Sequence, residues 1–176
     1  MTLNQPAPRG ASAGFAERLL EVIDSDRTSL LRLLSSAHET FSPDSTLIFE
    51  HGEPETGPLR TGACIDHAHL HILPGHGYLI DKIICQLPFD VTCWSLEETM
   101  ERANLSGYHL VGKFENNGSE MYLRSVVGPT PSQFLRRLVA DAAGTRRSWD
   151  WRENWDLASV EQTCRLWRSS AHANIV

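Results

Sequence analysis

Apolar residues along this chain fall into blocks of two spacings, one suited to helices and one to strands. Phe15, Leu19, Leu20 and Ile23 recur at helical intervals, and so do Leu30, Leu31, Leu33 and Leu34 after Asp26, which predicts two consecutive helices. Residues 46–49 read as a short strand running into Glu50-His51-Gly52, and residues 65–73 as the next strand, stopped by Pro74-Gly75. Between them, residues 53–63 are punctuated by Gly and Pro and read as a loop. Ser95 followed by Glu98 is the signature of a capping box, opening a helix that reaches about Asn104. Residues 108–114 and 121–127 flank Asn117-Gly118, a strong hairpin signal. Thr130-Pro131 predicts the start of a further helix, with Phe134, Leu135, Leu138 and Val139 as its apolar stripe and Gly144 as its stop. A closing helix is expected from Asp156 to about Ala171. Residues 1–13, rich in Pro, Gly, Ala and Ser, read as a flexible tail, and residues 14–176 as a single domain. The order of elements predicts an α+β fold with an antiparallel sheet rather than a parallel doubly wound one.

A chain of 176 residues is long enough to bury a sizeable core as one domain. Its formal charge of -6 argues against general affinity for nucleic acid, whose backbone demands concentrated Lys and Arg, but leaves room for a small anionic ligand held by a few donors. Cys64, Cys85, Cys93 and Cys164 lack the paired spacing of zinc or redox motifs and read as reduced thiols of a cytoplasmic protein. No apolar run approaches the length of a membrane span, so no membrane partner is expected.

The chemistry concentrates in His67-Ala68-His69-Leu70-His71. On a strand, alternate side chains share a face, so the three histidines project together while Ala68, Leu70 and Ile72 turn to the core. Neighbours in such a row stand about 6.6 Å apart. Three imidazoles so spread cannot easily converge on one zinc ion, whose ligand nitrogens lie at about 2.0–2.1 Å, whereas a phosphate with its leaving oxygen is a broader target. A neutral imidazole whose proton is fixed on one nitrogen can attack phosphorus with the other, and its neighbours can donate to phosphate oxygens or to the departing group.

His67-Ala68-His69-Leu70-His71-Ile72-Leu73 resembles the motif of the histidine-triad (HIT) superfamily, His-x-His-x-His followed by two apolar residues. The resemblance runs from residues 48–52 through Trp149-Asp150-Trp151-Arg152, and is greatest to bacterial HIT-like proteins grouped with dinucleoside polyphosphate hydrolases. Those also carry a helix similar to Ser132-Gln133-Phe134-Leu135-Arg136-Arg137. The resemblance implies a HIT-like antiparallel sheet packed with helices. It implies His69 as the nucleophile that forms a nucleotidyl-histidine, with His67 and His71 orienting it and contacting phosphate. Cys64 falls where the family commonly has a polar phosphate contact; a thiol is a weak donor, although its backbone amide remains. A histidine at position 71, rather than the glutamine of the transferase branch, favours hydrolysis by analogy. Only 66 residues precede His67 and most of them read as tail and helix, where the family places two strands. A shortened N-terminal part is therefore expected, with a homodimer as one way to complete the pocket.

Around the triad, Gly62 can let backbone approach a phosphate, and Glu50 and His51 can line the pocket from the neighbouring strand. Gln133 and Arg136 fall on one helix face near its start, where arginine and free amides favour phosphate. His38, His76, His109 and His172 are isolated and read as structural or exposed, and Trp149 and Trp151 as anchors. The expected ligand is a small nucleotide or nucleotide conjugate, with no metal and no cofactor. Two alternatives remain: a non-catalytic nucleotide-binding or interaction protein with a degenerate pocket, and a metal-dependent hydrolase. Asp66-His67-Ala68-His69 does resemble the strand that opens many amidohydrolases, but that barrel needs about 250 residues.

Overall fold

The computed structural model describes residues 19–41, 44–52, 70–87, 89–93, 95, 98–99, 107–115, 117–126, 129–145, 149–150, 153–154 and 156–173. Helix α1 (Leu19–Phe41) leads into strand β1 (Thr46–Gly52). Strand β2 (His71–Pro74) is followed by a 3-10 turn at Gly77–Leu79, helix α2 (Ile80–Gln86) and strand β3 (Val91–Cys93). A hairpin of β4 (Tyr108–Glu115) and β5 (Gly118–Ser125) precedes helices α3 (Phe134–Ala142) and α4 (Leu157–Ala173). The five strands form one sheet in the order β2-β1-β4-β5-β3, every pair antiparallel, so the fold is α+β with an open antiparallel sheet.

Where two helices were expected at the start, α1 is one continuous helix. Asp24, Ser25 and Asp26 are weak helix formers, but they cost well under 1 kcal/mol each and no Gly or Pro stands among them to force a break. The helix survives because its far half is buried: Leu30 and Leu34 pack with Ile48, Leu110, Met121 and Leu123 on one face of the sheet, joined at the edge by Leu70 and Ile72. On the other face, Ile80 and Ile83 of α2 and Leu135 and Val139 of α3 pack on Leu47, Phe49 and Val111. Helices on both sides leave β1 buried along all seven residues, which is why it reads as an apolar run and not as an alternation.

The expected hairpin forms, but with Tyr108 opposite Ser125 and Glu115 opposite Gly118, so Gly118 is the first residue of β5 and not part of the turn, and β5 begins three residues earlier than residue 121. The capping box forms too: Ser95 Oγ accepts the Glu98 amide at 3.2 Å and Glu98 Oε2 accepts the Ser95 amide at 3.1 Å. Asp156 caps α4 by accepting from the Ser159 hydroxyl at 2.5 Å and from the Ser159 amide at 3.1 Å, and those bonds hold its carboxyl below the ordinary Asp value. Helix α3 begins later than Thr130-Pro131 predicts, because Gln133 adopts a left-handed conformation (φ 57°, ψ 33°) that no helical turn can include. It stops where expected, at Gly144 with φ 76°, a conformation that glycine adopts without the penalty a Cβ imposes. Helix α4 lies against α1, where Trp167 stacks on Phe41 at 5.8 Å, while its Leu157, Val160 and Leu166 are exposed. No helix among the described residues is long and apolar enough to cross a membrane.

Candidate active site

Strand β2, which carries the last of the three triad histidines, lies at the edge of the sheet. Of its three histidines, His71 is described, and His67 and His69, like Cys64 and Gly62, lie outside the described residues. β2 pairs with β1 in a register that sets His71 opposite Phe49 and Leu73 opposite Leu47. Strand alternation then sends Leu70 and Ile72 to the α1 side and His71 to the α2 and α3 side, as the sequence pattern requires. His71 is half-buried there, its ring stacked on Phe49 at 4.4 Å with the planes 17° apart.

Two more histidines stand on the same face. His51, two residues beyond Phe49 on β1, is buried, and its ladder partner on β4 is His109, fully buried. Their rings meet edge to face at 5.4 Å, and His109 also stacks on Phe134 at 5.1 Å. His51 Nε2 accepts a hydrogen bond from the backbone amide of Leu135 at 2.9 Å. An imidazolium has no lone pair to accept with, so this bond places the His51 proton on Nδ1 and requires the neutral ring.

That contact supplies what α3 lacks locally. The side chain of Gln133, the residue before the helix, makes no capping bond; its Oε1 accepts from Arg136 Nη1 at 3.0 Å instead. The histidine from β1 therefore caps the helix across the sheet, satisfying one of the amides left open in a first turn. Arg136 is thereby fixed at the rim of a cavity of about 220 Å³ between β2 and α3. Phe49, the ring under His71, lines the same cavity, together with Leu73, His76 and Trp149. On one side of Trp149, the Arg137 guanidinium lies 4.1 Å from the ring centroid, a cation–π contact that holds the indole.

Of the residues singled out in the sequence, the structure thus gathers His71, His51, Gln133 and Arg136 around one face of β1 and β2. It does not bring Glu50 there. Glu50 points to the α1 side, fully buried, where its Oε2 accepts from the Tyr108 hydroxyl at 2.8 Å. Gly52 makes room for that pair, since a Cβ added there would fall inside the Tyr108 ring. His109, Phe49 and His76 were not foreseen as neighbours of the triad strand. The cross-strand register places Phe49 and His109, and no local sequence signal encodes it, whereas His76 stands in the turn after β2, bonded to the Pro74 carbonyl.

Among the described residues, no group of three or more His, Cys, Asp or Glu is arranged to hold a metal ion. Compared with models of known protein families and with curated proteins, the chain has no match.

Proposed function

We propose that the chain is a HIT-type enzyme, a nucleotide hydrolase or nucleotidyltransferase acting at phosphorus through a covalent nucleotidyl-histidine on His69. The observation that carries the reading is the orientation of His71. It stands on the sheet face opposite Leu70 and Ile72. An alternating histidine strand whose other face is committed to the core would stand the same way, and Arg136 flanks a cavity on that side. In this reading the lone pair of His69 attacks phosphorus, a P–N bond forms and the leaving oxygen departs with a proton from a flanking histidine. Water then attacks the phosphorus, returning a proton to that flanking histidine, and His69 leaves as the P–N bond breaks. His67 and His71 donate to phosphate oxygens, and Arg136 contributes charge without taking part in bond making.

Rapid mixing with a dinucleoside polyphosphate labelled in the nucleotidyl part, followed by an alkaline quench, tests it. Label is expected on His69, lost together with turnover in His69→Ala. In His67→Ala and His71→Ala the rate is expected to fall by about 10²–10⁴-fold with some label retained. Label on another residue, or full turnover in His69→Ala, overturns the assignment. A non-catalytic nucleotide binder is the second reading, favoured by the structural engagement of Glu50 with Tyr108 and of His51 with α3. Tight nucleotide binding with neither label nor turnover would select it. Turnover abolished by chelation and restored by zinc would instead select a metal-dependent hydrolase.

A further inference from the structure

Two hollows adjoin the edge strand β2, one on each side of it, and share Leu73 and His76 as walls. The larger, about 480 Å³, runs between α1, β2 and α4 and is reached by Ile72 and Pro74, which point away from His71. The smaller, about 220 Å³, opens on the face of His71. Its size is below the roughly 300–1,000 Å³ typical of whole ligand pockets, so it holds one ring system and not an entire nucleotide. Its walls are of two kinds. Phe49, Leu73, Val139 and Trp149 offer apolar and aromatic surface, and Ala140 and Ala143, with their small side chains, keep it open.

At the rim, Arg136 provides a guanidinium anchored by Gln133, and His76 an oriented imidazole. His76 Nδ1 lies 2.8 Å from the Pro74 carbonyl oxygen. A carbonyl can only accept, so Nδ1 donates, and in the neutral form of the ring Nε2 is an acceptor. Flat apolar walls, an acceptor at the edge and one anchored cation make up the complement of a nucleobase joined to a phosphate. His71 adjoins the cavity, because Phe49 is both a wall of it and the ring on which His71 stacks.

We propose that this cavity is the subsite for the planar base of the nucleotide, with Arg136 directed to its phosphate. The inference rests on the HIT-type reading of the histidine strand and assigns the base to the α3 side of the sheet, not to the larger groove beside α1. Base stacking on aromatic side chains commonly improves affinity by about ten- to a hundredfold.

Calorimetric titration of the full chain with AMP and with ribose 5-phosphate, which shares the sugar phosphate but lacks the base, tests the assignment. AMP is expected to bind at least about tenfold more tightly. Ala143→Leu, at a half-buried position with helical φ of -77° that accepts leucine, fills the cavity. It should bring AMP down to the affinity of ribose 5-phosphate and leave the latter unchanged, at an unaltered melting temperature. Should that variant fail to fold, Trp149→Ala is expected to weaken AMP selectively in the same way. Equal affinities in the unsubstituted protein, or a preference for AMP that survives both variants, would overturn the subsite. Label trapped on His69 with no preference for AMP would remove the subsite and keep the catalytic reading. Loss of both label and binding would remove the two together.

Discussion

Replacing His51 with leucine isolates the hydrogen bond that joins the sheet to α3. Leucine fills a similar volume without an acceptor, so the Leu135 amide, 2.9 Å from Nε2 in the native protein, is left in a buried site with no partner from that side chain. A buried donor stripped of its partner costs about 1–3 kcal/mol, and the loss of a helix cap about 0.5–2 kcal/mol, two descriptions of the same missing bond that should not be added. For a chain of this size 1 kcal/mol moves the midpoint of thermal unfolding by roughly 2–4 °C, so His51→Leu should melt about 2–12 °C lower. Glutamine provides the control, because its side-chain carbonyl can reach the same amide and accept from it. Thermal melts of the two variants, with hydrogen exchange at the Leu135 amide, give the comparison. The expected result is faster exchange at Leu135 in the leucine variant and recovery of most of the stability in the glutamine variant. Nitrogen chemical shifts of the native imidazole should report the proton on Nδ1. A leucine variant as stable as the native protein with unchanged exchange at Leu135, or two variants equally destabilised, would refute the capping role.

Gly52→Ala should cost about 1–3 kcal/mol, because a Cβ there meets the buried Tyr108 ring and must displace the hydroxyl that donates to Glu50; a denaturant melt at unchanged slope measures it. Burial, reinforced by the bond to Glu120, raises the Tyr122 phenol to about 12, so ultraviolet titration should show a tyrosine transition near that pH that is lost in Tyr122→Phe. Since the folded value is above the ordinary 10.0, its contribution to stability is whole below pH 10 and lost as pH rises through about 12. The Asp156 carboxyl is shifted the other way. The capping bonds to Ser159 persist above the ordinary Asp range, and the first turn of α4 should loosen as acid protonates that group, seen as faster amide exchange at Ser159 and absent in Asp156→Asn.

The sequence by itself determined every feature that rests on near neighbours in the chain. The Ser95 and Glu98 capping box, the Asp156 cap and the Gly144 stop each depend on a conformation or bond spanning at most a few residues, and each is found where the chain places it; the hairpin near Asn117 is also found, with Gly118 taken into β5. The alternation of residues 70–72 belongs with them, since the backbone pleat alone sends Leu70 and Ile72 one way and His71 the other. What lies across from that strand is a different matter. A ladder shifted by one residue would turn Phe49 and His51 to the opposite face, and only the burial of helices on both sides of the sheet fixes which register wins. From that register follow the stacking of His71 on Phe49, the meeting of His51 with His109 and the separation of Glu50 from the triad side. The start of α3 was hidden for the same reason. Thr130-Pro131 offers a reasonable local beginning, but the helix begins where a histidine 84 residues away accepts its amide, and Gln133 takes up a left-handed turn beside it. Local preferences of a fraction of a kcal/mol per residue yield to tertiary bonds and buried surface worth several times more.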